Sequence, residues 1–434
     1  MQQLGEKRRL PAIPSWVREH DRRSELFTSI CFALAPLAGS LVSIAINLGA
    51  VGGVLAVLRG TVRLSRDTFM AWLTIPLFLY CGAYLVALAA NPNPDWKNAL
   101  PAGTLLLFPF LYSIWSLSRH ETIARSAVLG SMVACCGALL LAVVQFHFLG
   151  MRAEGGDGNA IVFAVVTTLA ALISLAGAFG RTGFTATLLL GAYCAGSIAV
   201  LYSGSRTAWL ALFVASGAIL WIYRDRRHAW KSTLTVSCAV FGIVAVTMVA
   251  ALVVPTRVAA LMNDWREIGS DGNRDTSLGN RSQLWKLASE AIGEKPVLGH
   301  GPQTTRQIIR DGFAADGLEA HYSHFHNGFL TAWVEAGIVG VLSLIGVLVV
   351  ALWAAVKTLL ATPNETQRLG AAMLSATAIV YAVNGTTAIL LGHDILDAMF
   401  VAFLCVGAYL AGGTSSLAER SVTDVSGGRT GFAP

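Results

Sequence analysis

From Leu26 to Leu58 the chain runs without one charged side chain, and long apolar runs recur from there to residue 412. A segment of roughly 20 mostly apolar residues is long enough to cross a bilayer as a helix. Inside the hydrocarbon every backbone N–H and C=O must find its partner within the protein, which a helix achieves along its own length. The composition agrees: 55% of the residues are hydrophobic and 13% charged, where soluble domains carry about a quarter charged. The expected fold class is therefore all-α, a polytopic membrane protein.

The 26–58 run is too long for one span at 1.5 Å per residue, so it is read as two helices broken near Asn47-Leu48-Gly49. Further runs lie near 68–90, 99–118, 122–149, 160–180, 183–204, 206–223, 232–254, 327–356, 367–391 and 393–412, which brings the expected count to about twelve. Residues 1–25 form a basic N-terminus with six Lys and Arg side chains and no apolar core, unlike a cleavable signal peptide. The first apolar run is accordingly expected to stay as a membrane helix. The organisation reads as a basic cytoplasmic stretch 1–25, helices over 26–254, a periplasmic loop 255–325, three helices over 326–412 and a cytoplasmic tail 413–434.

Loops rich in Lys and Arg stay on the cytoplasmic side. With the N-terminus inside and the helices alternating, the inside set holds Arg59, Arg63, Arg66, Arg119, Arg125, Arg181, Arg224, Lys357 and Arg368 among others. The short outside loops keep Lys97, Arg152 and Arg206 alone. Both termini then face the cytoplasm. The positive net charge is assigned to this orientation and to membrane lipids rather than to nucleic acid. The seven cysteines all lie in apolar runs and read as packing residues, not a disulfide framework.

The loop 255–325 is nearly balanced in charge, and a connection of that length usually carries function or structure of its own. Leu284, Leu287, Ala288 and Ala291 recur at helical spacing in RSQLWKLASEAI, and QTTRQIIR at 303–310 suits a second short helix. The loop is expected to form a small helical cap. His300, His321, His324 and His326 crowd it. His300 reads as a solvated loop residue. The spacings of three and two among the other three do not put them on one helical face, so a zinc site is disfavoured. A neutral histidine acting as a base at the membrane boundary fits better, with His326 beside the natural cap Asn327 and His324 as a neighbour.

Arg206, after Ser203-Gly204-Ser205, stands at the outer start of a helix, where Ser205 and the helix N-terminus make an anion site. Arg281 opens the amphipathic segment of the loop. Guanidinium groups bind phosphate bidentately, so a histidine base and two arginines on one face suit a lipid-linked phosphate. Gln303 and Trp285 are candidates for sugar contact, with loop solvation for the first and interfacial packing for the second as equally good readings. His393 and Asp394, on the last outer loop, border the same region. There is no GxxxxGK[ST] loop and no Asp-x-Asp pair, so no nucleotide or metal-held nucleotide sugar is expected, and no cofactor.

His326, Asn327, Gly337 and Gly340 in HFHNGFLTAWVEAGIVG resemble the histidine signature of the bacterial O-antigen ligases. SGSR at 203–206 and KPVLGHGPQ at 295–303 resemble segments of the wider O-antigen ligase and polymerase superfamily. The resemblance implies an inner-membrane glycosyltransferase with its active site facing the periplasm. It would move O-antigen polysaccharide from undecaprenyl diphosphate to a sugar of lipid A–core without ATP or metal. His326 is then implied to be the base, with Arg206 and Arg281 catalytic and holding the diphosphate; Asn327, His324, Ser205 and Gln303 would bind substrate. An O-antigen polymerase or a protein O-oligosaccharyltransferase would use the same donor class. A solute transporter fits worse, because no internal repeat is evident and charge is scarce within the spans.

Overall fold

A computed structural model describes residues 15–225, 277–302, 304–315 and 322–413, with scattered positions between 246 and 263. The described chain is helical, with no strand among those residues, and eight helical stretches are long and apolar enough to cross a membrane. In chain order the α-helices are α1 (Ser15–Leu34), α2 (Leu41–Leu58), α3 (Thr68–Ala89), α4 (Leu100–Leu106), α5 (Phe108–Trp115), α6 (His120–Val143), α7 (Ala160–Phe179), α8 (Gly183–Ser203), α9 (Arg206–Ile222), α10 (Ser277–Glu294), α11 (Thr305–Ala315), α12 (Gly328–Leu360), α13 (Glu365–Gly385) and α14 (Asp394–Gly412). Of these, α1, α9 and α13 pack in the same bundle without meeting that length and hydropathy standard. The expected span 232–254 lies largely outside the described residues.

The first break does not fall at Asn47. The chain turns at 35–40, where Pro36 lacks a helical N–H and Gly39 takes φ +55°. Asn47 sits inside α2, its amide donating to the Ser43 carbonyl and its oxygen accepting from the Thr104 hydroxyl. Those two bonds satisfy a polar group that would otherwise have favoured a turn. The helix before the break also begins earlier than expected, at Ser15.

The centre of the bundle is formed by α7 and α14, whose apolar windows are each 94% covered by other helices. Without a water-driven hydrophobic force in lipid, such helices associate through close packing over small residues. Gly370 of α13 shows this against α14: a Cβ there would come within 2.3 Å of the Ala411 nitrogen.

The two helices expected in the long loop appear where the pattern placed them. Leu284, Leu287, Ala288 and Ala291 of α10 are buried with Ile309 and Phe313 of α11, Phe325 and Val334, a small core separate from the main bundle. This core seats both helices on the start of α12.

A second departure concerns α12. The run expected as one helix is two, because Gly337 has φ +66° and ψ −168°. The segment 295–301 fills that break. His300 and Gly301 donate backbone N–H bonds to the Val334 and Glu335 carbonyls, at 2.7 and 3.1 Å, and Ile338 donates to the Pro296 carbonyl at 2.9 Å. The Trp333 indole donates to the same Pro296 oxygen. Breaking a helix strands backbone groups, and this segment satisfies three of them.

Candidate active site

Six loop segments meet at one end of the bundle. The Gly156 N–H donates to Pro36 O, Ala153 N–H to Tyr202 O, and Thr207 and Thr387 share a hydroxyl hydrogen bond of 2.6 Å. Ser43 donates to the Asp394 carboxylate at 3.0 Å, and Gly328 is packed so tightly on Leu390 that a Cβ would touch its backbone nitrogen at 2.6 Å. The 295–301 segment closes the group through the Asn91 amide, which donates to the His300 carbonyl.

His326 stands where α12 begins. Asn327 caps that helix, its side-chain oxygen accepting from the N–H groups of Phe329 and Leu330 at 3.0 and 3.1 Å. The cap uses the Asn327 oxygen in the fold itself. His326, one residue earlier, has φ +47°. A β-carbon in the left-handed region costs about 1–2 kcal/mol, and such strain concentrates at functional sites. His326 Nδ1 is sealed from solvent and bonded to nothing.

The ring is surrounded by aromatic and cationic groups. Tyr322 meets it edge-on at 5.3 Å and His324 lies at 4.5 Å between centroids. Burial first, and the nearby Arg281 guanidinium second, push the His326 pKa down to about 4. Burial, then His326 and His393, push His324 down to about 3. Both rings are therefore neutral near pH 7 and available as bases. The structure thus brings Arg281 near the His324–His326 pair, although it stands far upstream of both in the loop.

Arg206 is the first residue of α9 and is exposed. Its position is fixed by Thr207, which ties α9 to the 386–393 loop beside the start of α12. Ser205 occupies the N-cap position but makes no side-chain cap; its N–H donates to Ser203 Oγ. Gln303, His321, Asp316 and Glu319 lie outside the described residues. His300 is not solvated: its side chain is 11% exposed and Nε2 bonds the Ala291 carbonyl at 2.8 Å. It is spent on holding 295–301 against α10. Trp285 is exposed.

His393 extends the site. Its ring sits between two carboxylates, 3.4 Å from Asp157 and 3.3 Å from Asp394, and acts electrostatically on His324. Asp157 was not singled out from the sequence, and a lone carboxylate in the glycine-rich stretch GGDGN is the signal that would have found it. No cluster of three or more His, Cys, Asp or Glu side chains suited to a metal occurs among the described residues.

Residues 186–345 match the family model described as O-antigen ligase, a span that contains Arg206, Arg281 and His326. The chain is 24% identical to an uncharacterised protein of Haemophilus influenzae over 303 residues, 66% of this chain and 73% of that one. It is 27% identical to the exopolysaccharide production protein ExoQ of Rhizobium meliloti over 273 residues, 57% of this chain and 58% of the relative. Over residues 186–345, then, this multi-pass membrane protein is similar to the O-antigen ligase family.

Proposed function

We propose that the chain is an O-antigen ligase of the bacterial inner membrane, transferring polysaccharide from undecaprenyl diphosphate to a sugar of lipid A–core on the periplasmic side. The observation that carries this reading is His326: a strained, neutral imidazole at a helix start, beside Arg281, at the bundle end opposite the Arg-rich loops. The Arg-rich end, by the positive-inside bias, faces the cytoplasm with both termini.

In the proposed step the acceptor hydroxyl oxygen attacks the anomeric carbon and its proton passes to the His326 ring. The bond from that carbon to the diphosphate oxygen breaks, and undecaprenyl diphosphate leaves with the electron pair. Arg206 and Arg281 stabilise the charge that develops on the leaving group, a contribution of about 10²- to 10³-fold per donor in comparable sites. One displacement inverts the anomeric carbon. Holding two lipid-anchored substrates at a single interface supplies the orientation. His324, Ser205 and Asn327 line the same end as substrate contacts, with Gln303 on the loop. The reaction needs neither nucleotide nor metal, because the diphosphate is already a good leaving group.

The test is a lipopolysaccharide gel from cells carrying only His326→Ala, with the undecaprenyl-linked pool assayed in parallel. A lost long-chain ladder with full-length polymer held on the lipid carrier is the expected result. Core capped by single repeats, with lipid-linked polymer gone, would identify a polymerase instead. An unchanged ladder and pool with well-expressed protein would remove the catalytic role of His326.

A further inference from the structure

Arg206 and His326 stand at the starts of two different helices, α9 and α12, far apart in sequence. One short stretch of chain touches both starts. Thr387 Oγ1 meets Thr207 Oγ1, on the residue next to Arg206, at 2.6 Å. Three residues further on, the buried Leu390 packs on Gly328, two residues after His326, so closely that a Cβ there would lie 2.6 Å from the Leu390 backbone nitrogen. Three residues of chain span at most about 11 Å. The backbones that carry the guanidinium and the imidazole are therefore joined through a very short piece of loop.

Loops are usually the more mobile parts of a fold, but this one is pinned at both ends. At its start, Thr387 and Ala388 donate backbone N–H bonds to the Asn384 carbonyl at 3.1 and 2.9 Å. At its end, Gly392, with φ +97°, donates its N–H to the carboxylate of the buried Asp397, 2.9 and 3.1 Å from the two oxygens. Leu390 is seated as well on Gly385, where a Cβ would overlap Leu390 Cδ1. Threonine is β-branched and stiff at χ1, so the hydroxyl pair ties backbone to backbone rather than one mobile side chain to another.

We infer that Thr387 is a positioning residue that sets the spacing between Arg206 and His326, through Thr207 on one side and Leu390 on the other. This rests on the roles proposed above for those two groups and deepens them. A base and a charge-stabilising guanidinium serve one displacement only when both are held in place by neighbours whose own conformations are locked. A misplacement of about 1 Å costs on the order of 100-fold in rate. The stretch from Thr387 to Gly392 supplies that lock to both groups at once, without taking part in the chemistry.

The experiment measures kcat and donor KM of the full-length protein in vesicles containing undecaprenyl-diphosphate-linked polysaccharide and lipid A–core. The variants are Thr387→Val, Thr207→Val, the two combined, and Thr387→Ser. Valine keeps the branched shape and removes the hydroxyl; serine keeps the hydroxyl. Thr358→Val is the control, because the Thr358 hydroxyl bonds the Ala354 and Ala411 carbonyls at the other end of α12. Each single valine variant is expected to lower kcat about 10-fold with KM within about 2-fold of wild type. The combined variant should lose no more than either alone, since both remove one bond. Thr387→Ser should recover the rate, and Thr358→Val should leave it unchanged. An unchanged kcat in Thr387→Val, additive losses in the combined variant, a loss that serine does not recover, or an equal loss in Thr358→Val overturns the positioning role and leaves the ligase reading standing. A wild type that transfers no glycan to lipid A–core removes the ligase reading and this inference together. If Thr387→Val does not fold, Thr207→Val decides in the same way, since it removes the same bond from the side of α9.

Discussion

At the end of the bundle that carries Arg119 and Arg368, guanidinium groups join helices. Arg119 bonds Asp21 of α1 through its backbone N–H and its side chain, and Arg368 donates to the Ile222 carbonyl that closes α9. His120 there bonds the Gly413 carbonyl and stacks on Tyr409. At the opposite end, Arg206 begins a helix in the open and His326 holds a strained backbone and a sealed, unbonded nitrogen. The same residue types thus consolidate the fold at one end and break local rules at the other. Departures from local consistency are expected where chemistry is done, and the strained backbone of His326 lies at the end where the active site is proposed.

The largest expected effect belongs to His326. Replacing it with Ala removes the proposed base and should cost about 10²- to 10⁴-fold in transfer rate, measured with donor and acceptor lipids in reconstituted vesicles. It should not lower the thermal midpoint, because the left-handed backbone strain is not relieved by any lost bond. A rate within a few-fold of wild type would place the base elsewhere. Next comes Gly337→Ala. A Cβ there would lie 1.9 Å from the Val297 carbonyl and on a positive φ. It should unseat 295–301 from α12 and destabilise the protein by more than about 3 kcal/mol, visible as a fall in folded yield. Normal folding with normal activity would show that the break in α12 is incidental.

Much of this architecture was legible in the sequence, and the failures have physical causes. Apolar runs reveal spans because a bilayer demands them, whatever the neighbours. The cap at Asn327 and both helices of the long loop were readable for the same local reason. The 35–40 turn was misplaced because two breakers lie in one uncharged run, and only a partner 57 residues away, Thr104, shows that Asn47 is accommodated. The break at Gly337 was hidden because the residues beyond it are as apolar as any span. What occupies that break, KPVLGHG, was visible as a motif and its role was not. His393 beside Asp157 joins loops more than two hundred residues apart, and Arg281 beside His326 depends on how α10 packs.

Smaller effects sharpen the contrast. Burial and then Arg281 hold His326 at about 4, so the acid limb of kcat/KM should fall near pH 4, not near 6.5. Arg281→Gln removes the lesser cause and should move the limb upward by part of that gap. The sign for stability follows. An unfolded His326 takes a proton near pH 6.5 and the folded one does not, so its contribution is full above 6.5 and is lost as pH falls towards 4. A wild-type limb at 6.5 would show that the ring is neither buried nor beside a cation when it works. Smallest are the two asparagine caps. Asn327→Ala and Asn364→Ala, the latter in a capping box at the start of α13, should each cost about 1 kcal/mol of stability. Only Asn327→Ala should also slow transfer, since it frees the residue next to His326. Equal rate losses from both would erase the distinction between the ends.

The most direct test compares one variant from each end, His326→Ala and Arg119→Ala, in a single preparation, with transfer rate per folded molecule and thermal midpoint measured together. His326→Ala should lose the rate and keep the midpoint. Arg119→Ala leaves the buried Asp21 short of a partner, so it should lower the midpoint, by about 1–3 kcal/mol of stability, and keep the rate. If His326→Ala instead lowers the midpoint and still transfers glycan, the histidine end is structural and the account fails.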